Sequence, residues 1–249
     1  MEKILVKDFK EGEHVNTNLL VSSLVKGVTN TGAPYLSLVL QDSSKTIDAK
    51  MWDVKSEVEK LLCSGKVFNF DLEINMYRNN LQAKVIKVLP VSQNDIDMLD
   101  YVSASPIPRD ILRENVGDAV NMIKNDNISR IVIAMLNYYD NDVYIYPAAS
   151  KIHHNFIGGL ATHMSGMIKL ANALCDIYPS ANRDYLLAGV ILHDLGKIEE
   201  FVSPFVSEYS TQGKLLGHIS IMDARLLEVG KQLKLEDSEE LMLLRHMIL

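Results

Sequence analysis

The chain has 249 residues, 47% of them hydrophobic and 23% charged, and a net charge of −7. Those proportions suit an ordinary globular protein of one large or two small domains, and no stretch nears the roughly 20 apolar residues of a membrane span. Residues 1–90 carry 12 Lys and Arg against 11 Asp and Glu, the remainder 13 against 21, a balance that argues against tight, non-specific duplex binding through basic residues alone.

The first ten residues alternate charged and apolar side chains, unlike a signal peptide. Strand-like runs follow at Val15–Lys26, Tyr35–Leu40, Thr46–Trp52, Lys66–Tyr77 and Leu81–Leu89. Leu36, Leu38 and Leu40, then Ile47, Ala49 and Met51, recur at period 2. Asn30-Thr31-Gly32, Asp42-Ser43-Ser44-Lys45 and Arg78-Asn79-Asn80 carry turn chemistry. A short helix over Val54–Cys63 falls between the third and fourth strands. Five strands interrupted there by a helix have the order of an OB-fold barrel. Cys63 and Cys175 lack a CxxC partner and read as reduced thiols of a cytoplasmic protein.

A Pro- and Ser-bearing linker over residues 91–108 comes next, with a short helix expected at Asn94–Tyr101. From 109 to 249 the pattern is helical. Pro108 suits the first position of a helix reaching about Lys124. Ile128–Tyr139, Gly159–Ile177, Arg183–Leu195, Gly217–Leu233 and Ser238–Leu249 follow, the last with Ser238 as N-cap. The fold class is therefore β plus all-α, in two domains. The final helical pattern reaches Leu249 without a C-cap, so the chain is expected to be truncated at its C-terminus.

The apolar run Tyr185–Leu192 ends on His193-Asp194-Leu195-Gly196-Lys197. A desolvated Asp costs several kcal/mol unless paired or metal-bound, and the C-terminal end of a helix disfavours negative charge. A bound cation would offset both. Of the seven histidines, only His14 lies far from this half; the others are His153, His154, His163, His193, His218 and His246. His163 shares a helical face with Leu160, Met167 and Leu170, and His246 one with Met242 and Leu249, so both are expected to point inward. Ligands converging from several helices suit a metal cavity in a bundle. Lys197, one turn past Asp194, reads either as a point charge on a phosphate or as a solvated lysine favouring the helix dipole. His153 and His154 read as lining a substrate entrance or as ordinary surface residues.

Gly158-Gly159-Leu160-Ala161-Thr162-His163, His193-Asp194, His218 and His246, in that order, resemble the HD-domain superfamily of metal-dependent phosphohydrolases. The resemblance implies that His163, His193 and Asp194 bind one divalent ion and that Asp194 bridges to a second, held by His218 and His246. It places a further Asp, completing the first ion's ligands, beyond residue 249. Two such ions suit phosphodiester cleavage, and imidazole with carboxylate suits Mn²⁺, Fe²⁺ or Co²⁺ better than Mg²⁺.

In the barrel, Tyr35, Trp52, Tyr77 and Arg78 are candidates for stacking on single-stranded bases, with Lys26, Lys45, Lys50, Lys84 and Lys87 along a backbone. Phe68 and Phe70 are assigned to the core. An OB-like barrel followed by an HD domain is similar to the YhaM family of bacterial 3′-to-5′ exoribonucleases, in segments Tyr35–Asp42, Ile47–Asp53 and Pro147–Lys197. That resemblance implies Mn²⁺-dependent removal of nucleotides from the 3′ end of RNA and of single-stranded DNA, and homo-oligomerisation. Two alternatives stay open: an HD phosphohydrolase acting on free or cyclic nucleotides, and a non-catalytic single-strand or replication factor.

Overall fold

The computed structural model describes residues 4–29, 31–149, 155–206 and 208–249. Two compact units are present. The first comprises the chain to Ala104 with residues 205–208, and the second holds Ser105–Pro204 and Tyr209–Leu249.

In the first unit, β1 (His14–Val28), β2 (Pro34–Gln41), β3 (Thr46–Trp52), β4 (Val67–Tyr77) and β5 (Asn80–Pro90) close a barrel in the order β1-β2-β3-β5-β4. Only the β3–β5 pairing is parallel. Helix α1 (Ser56–Leu61) lies between β3 and β4. This is the OB-fold expected from the strand order. Leu36, Leu38, Leu40, Ile47, Ala49 and Met51 all face the core, as their alternation requires. β1 serves two neighbours, β2 and β4, because a bulge between Val21 and Ser23 bends it; the Ser22 hydroxyl there donates to the Val39 carbonyl at 3.3 Å. Arg78 and Asn79, with φ of 50° and 64°, make the two-residue turn joining β4 to β5. Phe68 and Phe70 are buried and meet edge-to-face at 6.3 Å.

The stretch after β5 is packed rather than bare. Gln93 brackets Val67, accepting from its N–H at 3.1 Å and donating to its carbonyl at 2.7 Å, and the Gln41 amide donates to the Tyr101 carbonyl. Tyr101 and Val102 are buried. The single helix expected over Asn94–Tyr101 is instead two 3₁₀ turns, Gln93–Asp95 and Met98–Asp100.

The second unit is helical: α2 (Arg109–Met122), α3 (Asp126–Tyr139), α4 (Gly159–Ile177), α5 (Arg183–Leu192), α6 (Lys197–Glu200), α7 (Thr211–Leu233) and α8 (Glu239–Ile248). Pro108 occupies the N-cap of α2, not its first turn. Asn125, Asn182, Ser210 and Ser238 cap α3, α5, α7 and α8 through side-chain oxygens that accept first-turn N–H groups. Ile128, Ile131, Val132 and Met135 of α3 pack with Leu160 and Met164 of α4 and with Leu187 and Ile191 of α5 in one continuous core. The helix expected to run through Leu195 stops at Leu192. Residues 193–196 form a tighter turn, with i→i+3 bonds from Leu195 to Leu192 and from Lys197 to Asp194.

Candidate metal centre

That turn sets His193 and Asp194 side by side beneath α4. The His163 Nε2 atom on α4 lies 3.4 Å from the Nε2 of His193 and 3.6 Å from Asp194 Oδ2, and His193 Nε2 lies 3.3 Å from the same oxygen. Among the described residues these three form a cluster whose donor atoms all fall within 4.8 Å of one another. A triangle of that size leaves room for an ion about 2.0–2.2 Å from each corner. The His193 Nδ1–H donates to the Val190 carbonyl at 2.9 Å. In the neutral ring this leaves the Nε2 lone pair aimed at an imidazole nitrogen and a carboxylate, an arrangement that calls for a cation or a proton between them. The donor set therefore fits a divalent ion.

Asp194 is 6% exposed. Burial pushes its pKa up, but the His193 and Lys197 contacts outweigh burial and hold it well below the ordinary carboxylate range. Lys197 Nζ donates to Oδ2 at 2.8 Å. On the opposite side, His218 Nε2 stands 3.6 Å from Oδ1. Asp194 thus addresses His163, His193 and Lys197 with one oxygen and His218 with the other. Burial lowers the His193 pKa, and contact with Asp194 more than reverses this, for a net rise.

The HD domain family matches residues 160–248, a stretch that carries all these groups. The 3′-5′ exoribonuclease YhaM of Bacillus subtilis (strain 168) is 40% identical over 96% of this chain and 76% of its own length. The protein of the same name from Bacillus pumilus (strain SAFR-032) is 38% identical over 98% of this chain and 78% of its own. The chain belongs to the YhaM family. It is accordingly an enzyme, a hydrolase of the nuclease and phosphohydrolase kind, and its HD domain implies a divalent metal. The second OB-fold domain of replication protein A from Methanococcus maripaludis is similar over 35% of this chain at 14% identity, with a TM-score of 0.30, too loose a likeness to add to the strand order.

Within this YhaM-family chain the remaining candidates are distributed as follows. His246 stands on the exposed face of α8 beside Met242 and Leu249, which are 61% and 72% exposed. The expected inward face of α8 is corrected to Leu241, Leu244 and Ile248. Likewise α4 buries Leu160, Ala161, Met164, Ile168 and Ala171, while Leu170 is 54% exposed. His163 therefore sits at the rim of the core, partly open to solvent. His153 and His154 lie outside the described residues.

On the barrel, Tyr35 and Trp52 are cross-strand partners with ring centroids 5.2 Å apart, and Lys50 Nζ lies 5.0 Å over the Tyr35 ring. Trp52 is 48% exposed. Tyr77 and Arg78 are exposed at the β4–β5 turn, with the guanidinium 5.3 Å over the phenol ring. The candidates thus form one aromatic pair, Tyr35–Trp52, and one arginine–aromatic pair, Arg78–Tyr77. Lys26 and Lys84 are paired with Glu59 and Glu73.

Two acidic residues next to this site escape the sequence reading. Glu200, 8% exposed, accepts from both the backbone N–H and the ring of His218. Glu199 accepts from Tyr139 and, in a fork, from Arg225. As the pair Glu199-Glu200 just after Lys197, they look like a solvated charge run, and only the later approach of α7 leaves Glu200 buried and Glu199 half-buried.

Proposed function

We propose that this chain removes nucleotides from the 3′ end of single-stranded RNA, and of single-stranded DNA, by phosphodiester hydrolysis at a two-ion centre, with Mn²⁺ the favoured occupant. The observation that carries this reading is Asp194, a buried carboxylate that directs its two oxygens at different histidines on opposite sides. His163, His193 and Asp194 would hold one ion. Asp194, His218 and His246 would hold the other. When bound, the ions supply Lewis-acid stabilisation of the charge that develops on the phosphate.

The protein's own residues do the positioning. The Val190 carbonyl fixes the His193 tautomer. Lys197 neutralises Asp194 in the resting site, and once a cation occupies the centre its ammonium group is available to a phosphate oxygen. The barrel binds the strand through Tyr35, Trp52 and Lys50, with Tyr77 and Arg78 as a second contact, because base stacking on aromatics tolerates any sequence. The family resemblance supports self-association as part of the same reading.

The test is incubation with Mn²⁺ and 5′-labelled RNA, 5′-labelled single-stranded DNA, or mononucleotides. A ladder shortening from the 3′ end of both strands is the expected result. Turnover of mononucleotides alone would replace this reading by a nucleotide phosphohydrolase, and binding without cleavage would replace it by a strand-binding factor.

A further inference from the structure

We infer that Glu200 is a positioning residue for the metal centre: its carboxylate holds His218 with Nδ1–H turned away and Nε2 turned toward Asp194. The inference deepens the metal reading above and rests on it.

The geometry begins with backbone. α6 is one turn long and ends at Glu200, whose carbonyl accepts from the Ser210 N–H at 2.8 Å. α7 then runs so close to it that a Cβ on Gly213 would stand 2.2 Å from the Glu200 carbonyl oxygen. At Gly217 the helix kinks, with φ of 72°. The kink frees the N–H of His218 from the helical ladder and aims it at Glu200 Oε1, 3.0 Å away. The same oxygen lies 3.1 Å from His218 Nδ1. A carboxylate accepts and does not donate, so Nδ1 carries the proton, and Nε2 is the nitrogen left facing Asp194 Oδ1 at 3.6 Å, longer than a hydrogen bond.

Electrostatics point the same way. A carboxylate 8% exposed and bonded to an imidazole ring is a costly thing to bury. The cost falls when the far side of that ring meets positive charge, because the imidazole transmits the carboxylate's polarisation to its other nitrogen. A histidine whose second nitrogen donates to a carboxylate is a better and more rigid metal ligand, and losing such a partner typically weakens metal binding about 10–100-fold. Lys197 cannot serve as that charge on this side, since it is engaged with Oδ2.

The test uses the 249-residue chain and Mn²⁺ titrations of wild type, Glu200→Ala, Glu200→Gln and His218→Ala. The Mn²⁺ binding that is lost in His218→Ala should weaken about 10–100-fold in Glu200→Ala. Glu200→Gln keeps an acceptor in place and should recover most of that loss, which a merely space-filling role for Glu200 has no reason to produce beside an unchanged melting temperature. Independently, ¹⁵N spectra of the metal-free wild type should show His218 as the Nδ1–H tautomer. Mn²⁺ affinity in a folded Glu200→Ala equal to wild type overturns the proposal, and so does an Nε2–H tautomer in wild type, a measurement that does not depend on the alanine variant folding. A wild type that binds no Mn²⁺ overturns the metal reading itself.

Discussion

Asp194 concentrates the chemistry of the site because it is buried and still ionised. Lys197, at 2.8 Å, maintains that state together with His193, so removing its ammonium group leaves a desolvated carboxylate facing three imidazoles. Lys197→Met is therefore expected to destabilise the metal-free chain by about 1–3 kcal/mol, the cost of an unsatisfied buried charged group. Saturating Mn²⁺ should reduce that loss, since an ion takes over as counter-charge. Thermal melts in chelator and in Mn²⁺ check it, and an equal loss in both would contradict the role assigned to Lys197. Gly196 makes the opposite kind of contribution. A Cβ there would stand 2.2 Å from the His218 carbonyl oxygen, which is backbone and has little room to move. Gly196→Ala should cost about 1–3 kcal/mol through overpacking. Gly117, inside α2 with open space within 4 Å of where a Cβ would sit, is the control: Gly117→Ala should stabilise by about 0.5–1 kcal/mol. Denaturant unfolding of both variants checks the pair.

Among the elements, α6 is too short to hold itself and is fixed by its neighbours. Glu199 ties it to α3 through Tyr139 at 2.9 Å, and to α7 through the two bonds from Arg225 at 2.8 Å. Burial is the main reason the Tyr139 phenol titrates far above its ordinary range, with Glu199 adding to it. Tyr139→Phe removes one bond to a carboxylate that keeps its arginine, and is expected to cost about 1.5 kcal/mol; Arg225→Ala, which also uncovers Glu199, should cost more. Chemical denaturation gives both numbers, and reversal of their order would mean that the arginine is a surface ornament. The same region marks where the sequence stops being legible. Strand-like composition, alternation in β2 and β3, and turn residues place every barrel strand to within about two residues at each end, with the α1 segment marking the break between β3 and β4. The end of α5 is harder to read, since Leu195 continues the apolar period and hides the turn at 193–196. Glu200 is illegible for a different reason: its burial depends on Gly213 and Gly217, which arrive with α7. The true start of α7 does carry a signal, Ser210 ahead of Thr211-Gln212-Gly213, whose hydroxyl oxygen accepts from the Gly213 N–H.

At the scale of the whole molecule the proposed function divides the work between the two units, with strand capture assigned to the barrel and hydrolysis to the helices. The histidine order and the His193-Asp194 pair are readable from sequence alone, as is the five-strand order, because both are carried by residue type and spacing. Which face of α4 and of α8 is buried is not, since His163 and His246 both fall on stripes whose outer members, Leu170 and Met242, are apolar yet exposed. Trp52 gives the barrel its own test, because it is the single tryptophan of the chain. Single-stranded RNA stacking on it should quench intrinsic fluorescence, and Trp52→Ala should weaken RNA binding by the roughly 1–3 kcal/mol of one stacked base, about 5–150-fold. Unchanged fluorescence at saturating RNA would move strand capture away from the Tyr35–Trp52 pair. The central claim, that Asp194 joins the metal ligands into one hydrolytic centre, is tested most directly by Asp194→Ala. With Mn²⁺ and 5′-labelled RNA, 3′-end shortening should disappear while RNA affinity stays at the wild-type value; 3′-end shortening at the wild-type rate in a folded Asp194→Ala chain would contradict it.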